Sequence, residues 1–77
     1  MEHIDSILGE LKAARQLIER DDEGFLVPTY GGTKISVPDS YLADDTGRLK
    51  QVLRLLRKGA TPEIVLAFTA EAGFGHQ

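Results

Sequence analysis

YGGTKISVPDSY, residues 30–41, carries the clearest strand pattern in a chain whose other periodic segments are helical. Thr33, Ile35 and Val37 alternate with two polar residues, which is the period of a half-buried β-strand. Two glycines precede this alternation, and Pro38 ends it because proline has no backbone N–H to donate to a sheet. The segment therefore predicts one short strand that follows a turn.

A single strand leaves backbone donors and acceptors unpaired, so this segment needs a partner. One partner is the short apolar run at residues 25–27, FLV, joined to the strand by PTYGG in a hairpin. Because an isolated two-stranded hairpin is marginal in water, we expect instead that the same strand of a second copy pairs with it. The local hairpin remains the alternative. The residues assigned to the dimer strand are Tyr30, Thr33, Ile35 and Val37.

The remaining periodicity predicts a single small domain, residues 1–77, of the α+β class and mostly α. Apolar residues at helical spacing predict a helix over residues 3–20, ending near the charged cluster RDDEG. A strand or hairpin follows at about residues 25–37, and a helical hairpin occupies residues 46–73.

Capping residues delimit the helical hairpin. Asp45 or Thr46 can cap the first helix, and Gly59 is placed to end it in a left-handed conformation. Thr61 as N-cap and Pro62 at the first helical position start the second helix. The first of the two helices carries an apolar stripe, widened by Leu55, of Leu49, Val52, Leu53 and Leu56.

No residue pattern points to catalysis, a metal or a cofactor. The chain has no cysteine, and its only histidines, His3 and His76, lie near the termini. The acidic clusters at residues 21–23 and 44–45 flank predicted helix ends, where carboxylates cap backbone N–H groups. The segments YGG and GFG do not offer the glycine spacing together with the Lys-Ser/Thr pair of a phosphate loop. We therefore expect that the protein is not an enzyme.

The charge distribution is uneven, although the net charge is only -3. Residues 1–45 hold ten acidic and four basic side chains, whereas residues 46–77 hold two acidic and five basic ones. The absence of cysteine and of a long apolar run leads us to expect a cytoplasmic protein without a membrane span. The candidate contacts to nucleic-acid phosphates are Arg48, Lys50, Arg54, Arg57 and Lys58.

YGGTKISVP, followed by a Leu-rich helix and GATPEIVLAFTAEAG, resembles the Mor (middle operon regulator) family of phage transcription activators. Gly31, Gly32 and the Val37–Pro38 pair match the family's glycine pair and strand end. Thr69 to Gly73 matches its Thr-x-x-x-Gly segment. The resemblance covers about residues 30–75.

The resemblance implies a dimer in which an N-terminal helix and short strands of two chains intertwine, with C-terminal helix-turn-helix units that bind DNA. The second helix and its glycine turn are present here, but the sequence stops where the recognition helix is expected. The helix-turn-helix is therefore predicted to be incomplete, and none of the family's base-reading residues can be assigned.

Two functions follow as expectations. The first is a homodimeric Mor-like regulatory protein, phage- or prophage-derived, that acts in transcription regulation through weak or partner-assisted DNA binding. The alternative is an interaction protein on the same dimer scaffold that binds no DNA, such as a phage antagonist of a host or defence nucleoprotein complex. The acidic half of the chain favours the alternative, because an acidic surface can occupy a nucleic-acid channel.

Overall fold

The computed structural model describes the backbone of residues 2–73, with the side chains of residue 6 and residues 9–73. It is a mostly α structure of the α+β class, as predicted, in which three helices accompany a three-stranded antiparallel sheet. The two histidines and three of the apolar residues that predict the N-terminal helix, Ile4, Ile7 and Leu8, lie outside the described side chains. The elements are α1 (Glu2–Leu17), β1 (Glu19–Arg20), β2 (Gly24–Pro28), β3 (Lys34–Pro38), a 3-10 turn (Asp39–Leu42), α2 (Asp45–Arg57) and α3 (Pro62–Glu71).

Strand β3 takes its partner from the same chain. It pairs antiparallel with β2, with Phe25 opposite Val37 and Val27 opposite Ile35. The expectation that a second copy supplies this partner is corrected, because β1 extends the hairpin into a three-stranded sheet of order β1-β2-β3. Three strands with one buried face can be stable without a second chain.

The close approach of β2 and β3 requires a glycine at position 24. A Cβ atom on Gly24 would lie 2.1 Å from the carbonyl oxygen of Val37, which is far inside van der Waals contact. Gly24 therefore fixes where β2 begins beside β3.

Helix α1 ends earlier than predicted, at Leu17 instead of residue 20. Glu19 and Arg20 instead pair with β2 as strand β1. The predicted helix-ending cluster forms the connection between these strands, where Asp21 Oδ1 accepts hydrogen bonds from the backbone N–H groups of Glu23 and Gly24. A side chain that satisfies two turn donors favours the hairpin over continued helix.

The predicted boundaries of the helical hairpin are largely confirmed. Gly59 has φ +94 after α2, and the Thr61 hydroxyl accepts from Ile64 N at 3.1 Å, with Pro62 at the start of α3. The cap of α2 was placed one or two residues late. Asp44 is the N-cap, and its carboxylate accepts from Gly47 N at 2.6 Å.

Helix α3 is the most enclosed helix of the described chain. Phe68 is fully buried, and its ring meets Phe25 of β2 edge to face at 5.5 Å between centroids. Ile64, Val65 and Ala67 are buried as well, with α3 packed chiefly against α1. The run of consecutive apolar residues in α3 therefore fills the space between α1 and the sheet.

We expect Phe68→Ala to reduce the free energy of unfolding by about 3–5 kcal/mol, because it empties the centre of the core. Urea unfolding followed by circular dichroism measures this loss. Leu66→Ala is the matched control, since Leu66 lies on the same helix with 57% of its surface exposed. Equal losses in the two variants would contradict the placement of Phe68.

An ion pair fastens the sheet to the 3-10 turn. The Arg20 guanidinium donates to both Asp39 carboxylate oxygens, at 3.0 and 2.9 Å, while it lies 4.3 Å from the centroid of the Phe25 ring. The hydrogen bonds from Arg20 lower the pKa of Asp39 below its ordinary value. Both side chains are solvent-accessible, so the pair orients the two segments more than it stabilises them.

We expect Asp39→Asn to lower the urea midpoint at pH 7, and to do so less as the solution is made acidic. Because the pKa of Asp39 is lower in the folded state, its stabilisation is complete above the ordinary value of 3.8 and is lost as the pH falls through the lowered value. Asp22→Asn, in the exposed hairpin turn, is the charge-matched control. A deficit of Asp39→Asn that stays constant down to about pH 2 would refute this assignment.

Candidate interaction face on helix α2

The apolar stripe of α2 faces solvent in this structure. Leu49, Leu53 and Leu56 are 57%, 50% and 48% exposed, and they lie within about 60° of one another around the helix. Val52 is half-buried, whereas Leu55 is fully buried and attaches the helix to the core. We call the three exposed residues the leucine stripe.

Exposed large apolar side chains gather around this helix. Seven such residues are found among the described side chains, and three of them lie on α2. Tyr41 lies in the 3-10 turn before the helix, with its carbonyl oxygen against Gly47, and Tyr30 lies in the β2–β3 turn, where its backbone N–H donates to the carbonyl of Gly59 after the helix. The three leucines form an exposed apolar patch on α2, which is a candidate interaction site.

The energetic cost of this exposure is considerable for so small a domain. Full burial of one leucine is worth about 1.5–3 kcal/mol, so covering three half-exposed leucines would contribute roughly 2–4 kcal/mol. That is a substantial fraction of the roughly 5–15 kcal/mol that stabilises a typical domain. The leucine stripe therefore adds little to the stability of the isolated chain.

The five predicted phosphate contacts fall into two groups. Arg48 Nη1 donates to Asp45 at 2.9 Å, and its Nε is buried without a hydrogen-bond partner among the described residues. Arg54 Nη1 donates to the carbonyl of Ser36 on β3 at 3.1 Å, and also to Gln51. Arg54 ties α2 to β3 and Arg48 is engaged within α2, so both arginines are poorly available to a ligand.

Lys50, Arg57 and Lys58 make up the second group. Among the described side chains, none of the three has an ion pair or a side-chain hydrogen bond, and all three are exposed. Lys50 and Arg57 lie beside the leucine stripe, on the side of α2 away from Leu55, whereas Lys58 lies about 100° farther round at the C-terminal end of the helix. We call the three residues the basic stripe.

The residues predicted to form a dimer strand are divided between core and surface. Ile35 and Val37 are buried inside the chain, whereas Thr33 and Tyr30 are exposed in or beside the β2–β3 turn. The outer edge of β3 is partly occupied, because Arg54 takes the carbonyl of Ser36. The alternation was correctly interpreted as a half-buried strand, but its apolar face belongs to the domain's own core.

The other features of the described chain are less informative about function. No group of three His, Cys, Asp or Glu residues that could hold a metal ion occurs in the described part of the chain. Over the same residues, no helix has the length and apolar character needed to cross a membrane. A groove of about 560 Å³ between α1 and α3 is lined by Leu11, Lys12, Arg15, Leu66, Ala67 and Ala70. Arg15 at its rim pairs with Glu71.

No known protein family, curated protein or solved structure matches this chain. Any assignment of function therefore depends on the geometry of α2 and on the sequence resemblance to the Mor family.

Proposed function

We propose that this chain is a small Mor-like regulatory protein that acts in transcription regulation by weak, backbone-directed DNA binding. The basic stripe of α2 is the contact surface. Lys50, Arg57 and Lys58 bind phosphates as exposed charges and read no bases. Of the other two predicted contacts, Arg54 positions the helix against β3 and Arg48 is paired with Asp45 within the helix.

The observation that carries this proposal is the presence on α2 of three exposed cations that have no ion pair among the described side chains. Lys50 and Lys58 are separated by about 12 Å along the axis, at 1.5 Å per residue, so the stripe can span two neighbouring phosphates of one strand. Charges that are already in ion pairs would have to lose a partner before they bound DNA. The basic stripe has no such cost.

The binding is weak because the rest of the chain is acidic. The net charge is -3, and Asp44 and Asp45 lie at the N-terminal end of the same helix. Three phosphate contacts predict a dependence of log K on log salt of about -2.7, which leaves little affinity at physiological salt. A partner or a second copy of the chain is then needed for useful affinity.

Fluorescence anisotropy with a labelled 20-base-pair duplex tests the contact surface. We expect binding at about 25 mM NaCl that weakens with added salt, and a loss of about tenfold or more in the triple variant Lys50→Gln/Arg57→Gln/Lys58→Gln. The absence of wild-type binding at low salt would overturn the proposal.

The control variant removes the same charge elsewhere. Lys12→Gln/Arg15→Gln/Lys34→Gln also changes the net charge by three, and it disturbs only surface ion pairs, with Glu71 and Glu19. We expect it to bind DNA much more tightly than the α2 variant does. Equal weakening by both variants would mean that net charge, and not the basic stripe, governs binding.

The leucine stripe favours a second candidate, an interaction protein that binds no DNA. Phosphate contacts do not need exposed leucines, whereas a protein partner does. Affinity capture with wild-type bait and with Leu53→Glu bait separates the candidates. A stoichiometric partner that is retained by the first bait and lost from the second, combined with no DNA binding, would favour the interaction protein.

A further inference from the structure

We propose that Tyr30 and Tyr41 are stacking platforms for bases, so that the nucleic acid bound at α2 is single-stranded. Each tyrosine lies beside one end of α2 and next to a cation of the basic stripe. The inference rests on the phosphate contact proposed above and adds the substrate class, because cations alone bind the phosphates of a single strand and of a duplex alike.

Both tyrosine rings are accessible to a ligand. Tyr30 is 78% exposed and Tyr41 is 50% exposed, and they are the only tyrosines in the chain. Among the described side chains, neither ring has an aromatic or cation–π contact and neither hydroxyl has a hydrogen bond. Phe25 and Phe68, by contrast, are buried against each other. The two tyrosines are therefore the aromatic rings of the described chain on which a base can stack.

The first platform lies at the C-terminal end of α2. The backbone N–H of Tyr30 donates to the carbonyl of Gly59 at 3.0 Å, and Gly59 directly follows Lys58 in the chain. Tyr30 is thereby held beside an exposed cation that has no ion pair among the described side chains. No atom lies within 4 Å of the positions that Cβ atoms would take on Gly31 and Gly32, so the turn that bears Tyr30 is open to a ligand.

The second platform lies at the N-terminal end of α2. Tyr41 and Lys50 line one depression of about 290 Å³. Asp44 lines it as well, and its carboxylate caps the helix by accepting from Gly47 N. That carboxylate disfavours a phosphate inside the depression but not a neutral base. The base therefore lies on Tyr41, and Lys50 binds the neighbouring phosphate.

The β2–β3 turn and the cations are held on the same side of α2. Three basic residues recur every four positions and lie within about 80° of one another around the helix: Lys50, Arg54 and Lys58. Arg54 Nη1 donates to the carbonyl of Ser36 at 3.1 Å, so this side of α2 runs beside β3. Together with the bond from Tyr30 to Gly59, this contact fixes the turn against the helix. A strand that binds here has little of the protein to order.

The separation of the platforms sets the length of strand that can reach both. Helix α2 spans Asp45–Arg57, which is about 18 Å at 1.5 Å per residue. Phosphates of one stacked strand follow at about 3.4 Å, so the span equals about five nucleotides, and fewer in an extended strand. Single-strand sites on OB-folds cover a similar length, from about 4 nucleotides upward.

Exposed rings favour a single strand over a duplex. In a duplex each base is already paired and stacked on its neighbours, whereas an unpaired base can stack on an aromatic side chain. Phosphate contacts alone favour the duplex, because its charge density along the axis is about twice that of one strand. A preference for the single strand therefore distinguishes stacking from phosphate binding.

Fluorescence anisotropy at about 25 mM NaCl tests the substrate class, with labelled oligo(dT), oligo(U) and a duplex, each of about ten nucleotides per strand. We expect at least one single strand to bind about fivefold or more tighter than the duplex. Tyr30→Ala and Tyr41→Ala should each weaken single-strand binding about fivefold or more and leave duplex binding unchanged. The ratio of the oligo(dT) and oligo(U) affinities shows which sugar the site accepts.

The matched control is Leu66→Ala, which removes a large side chain that is 57% exposed on α3. We expect it to bind single strands as the wild type does. Equal weakening by Leu66→Ala and by the two tyrosine variants would reject the platforms. Circular dichroism checks that all three variants fold, as expected from the exposure of the side chains.

Intrinsic fluorescence tests the stacking directly, because the chain has two tyrosines and no tryptophan. We expect unlabelled oligo(dT) to quench the tyrosine emission, and the duplex to quench it little. Tyr30→Phe and Tyr41→Phe keep the ring, so each should retain single-strand affinity within about twofold while losing its part of the quenched emission. Emission that stays unchanged at saturation with a single strand would reject the stacking.

The two proposals fail in different ways. No binding of any strand or duplex at low salt removes the phosphate contact and the stacking with it. Equal binding of single strand and duplex, weakened by the triple variant of the basic stripe and not by the tyrosine variants, removes the stacking and leaves the phosphate contact. Binding of single strands alone supports the stacking and rejects the duplex as the ligand.

Discussion

The edge-to-face contact between Phe25 and Phe68 joins the sheet to α3, and the rest of the structure depends on it. It turns one side of α3 toward β2, while α1 covers another side. A chain of 77 residues buries only about 60% of its unfolded surface, so its large apolar side chains are few. Once α3 has taken the central position, α2 packs at the margin and buries only Leu55 completely.

The helix ends and the half-buried strand could be predicted from the sequence, because the residues that determine them act within a few positions. Thr61 caps α3 through Ile64, three residues away, and Gly59 ends α2 with a left-handed backbone. The alternation before Pro38 likewise predicts a half-buried strand, whatever its partner. Even the error at the end of α1 was local, because Asp21 satisfies the hairpin donors at Glu23 and Gly24 and thereby outcompetes another helical turn.

The tertiary arrangement could not be predicted from the sequence, for a different reason. Periodicity shows that a helix has an apolar stripe, but it does not tell which molecule covers that stripe. In α2 the leucine stripe and Leu55 lie on different sides of the helix. Because Leu55 packs into the core, the leucine stripe is turned away from the core. Likewise, the partner of β3 depends on β1, a two-residue strand too short to predict. The basic residues were found by composition, but their division into structural and exposed groups needed coordinates.

The position of the charges along α2 limits what it can bind. Asp44 uses its carboxylate to cap the helix, and Asp45 pairs with Arg48, so the acids at the N-terminal end are partly neutralised by local partners. The cations at the C-terminal end face only the negative end of the helix dipole, which attracts them but leaves their outer hydrogen-bond donors unused. An anionic ligand is therefore favoured near Arg57 and Lys58 and disfavoured near Asp44.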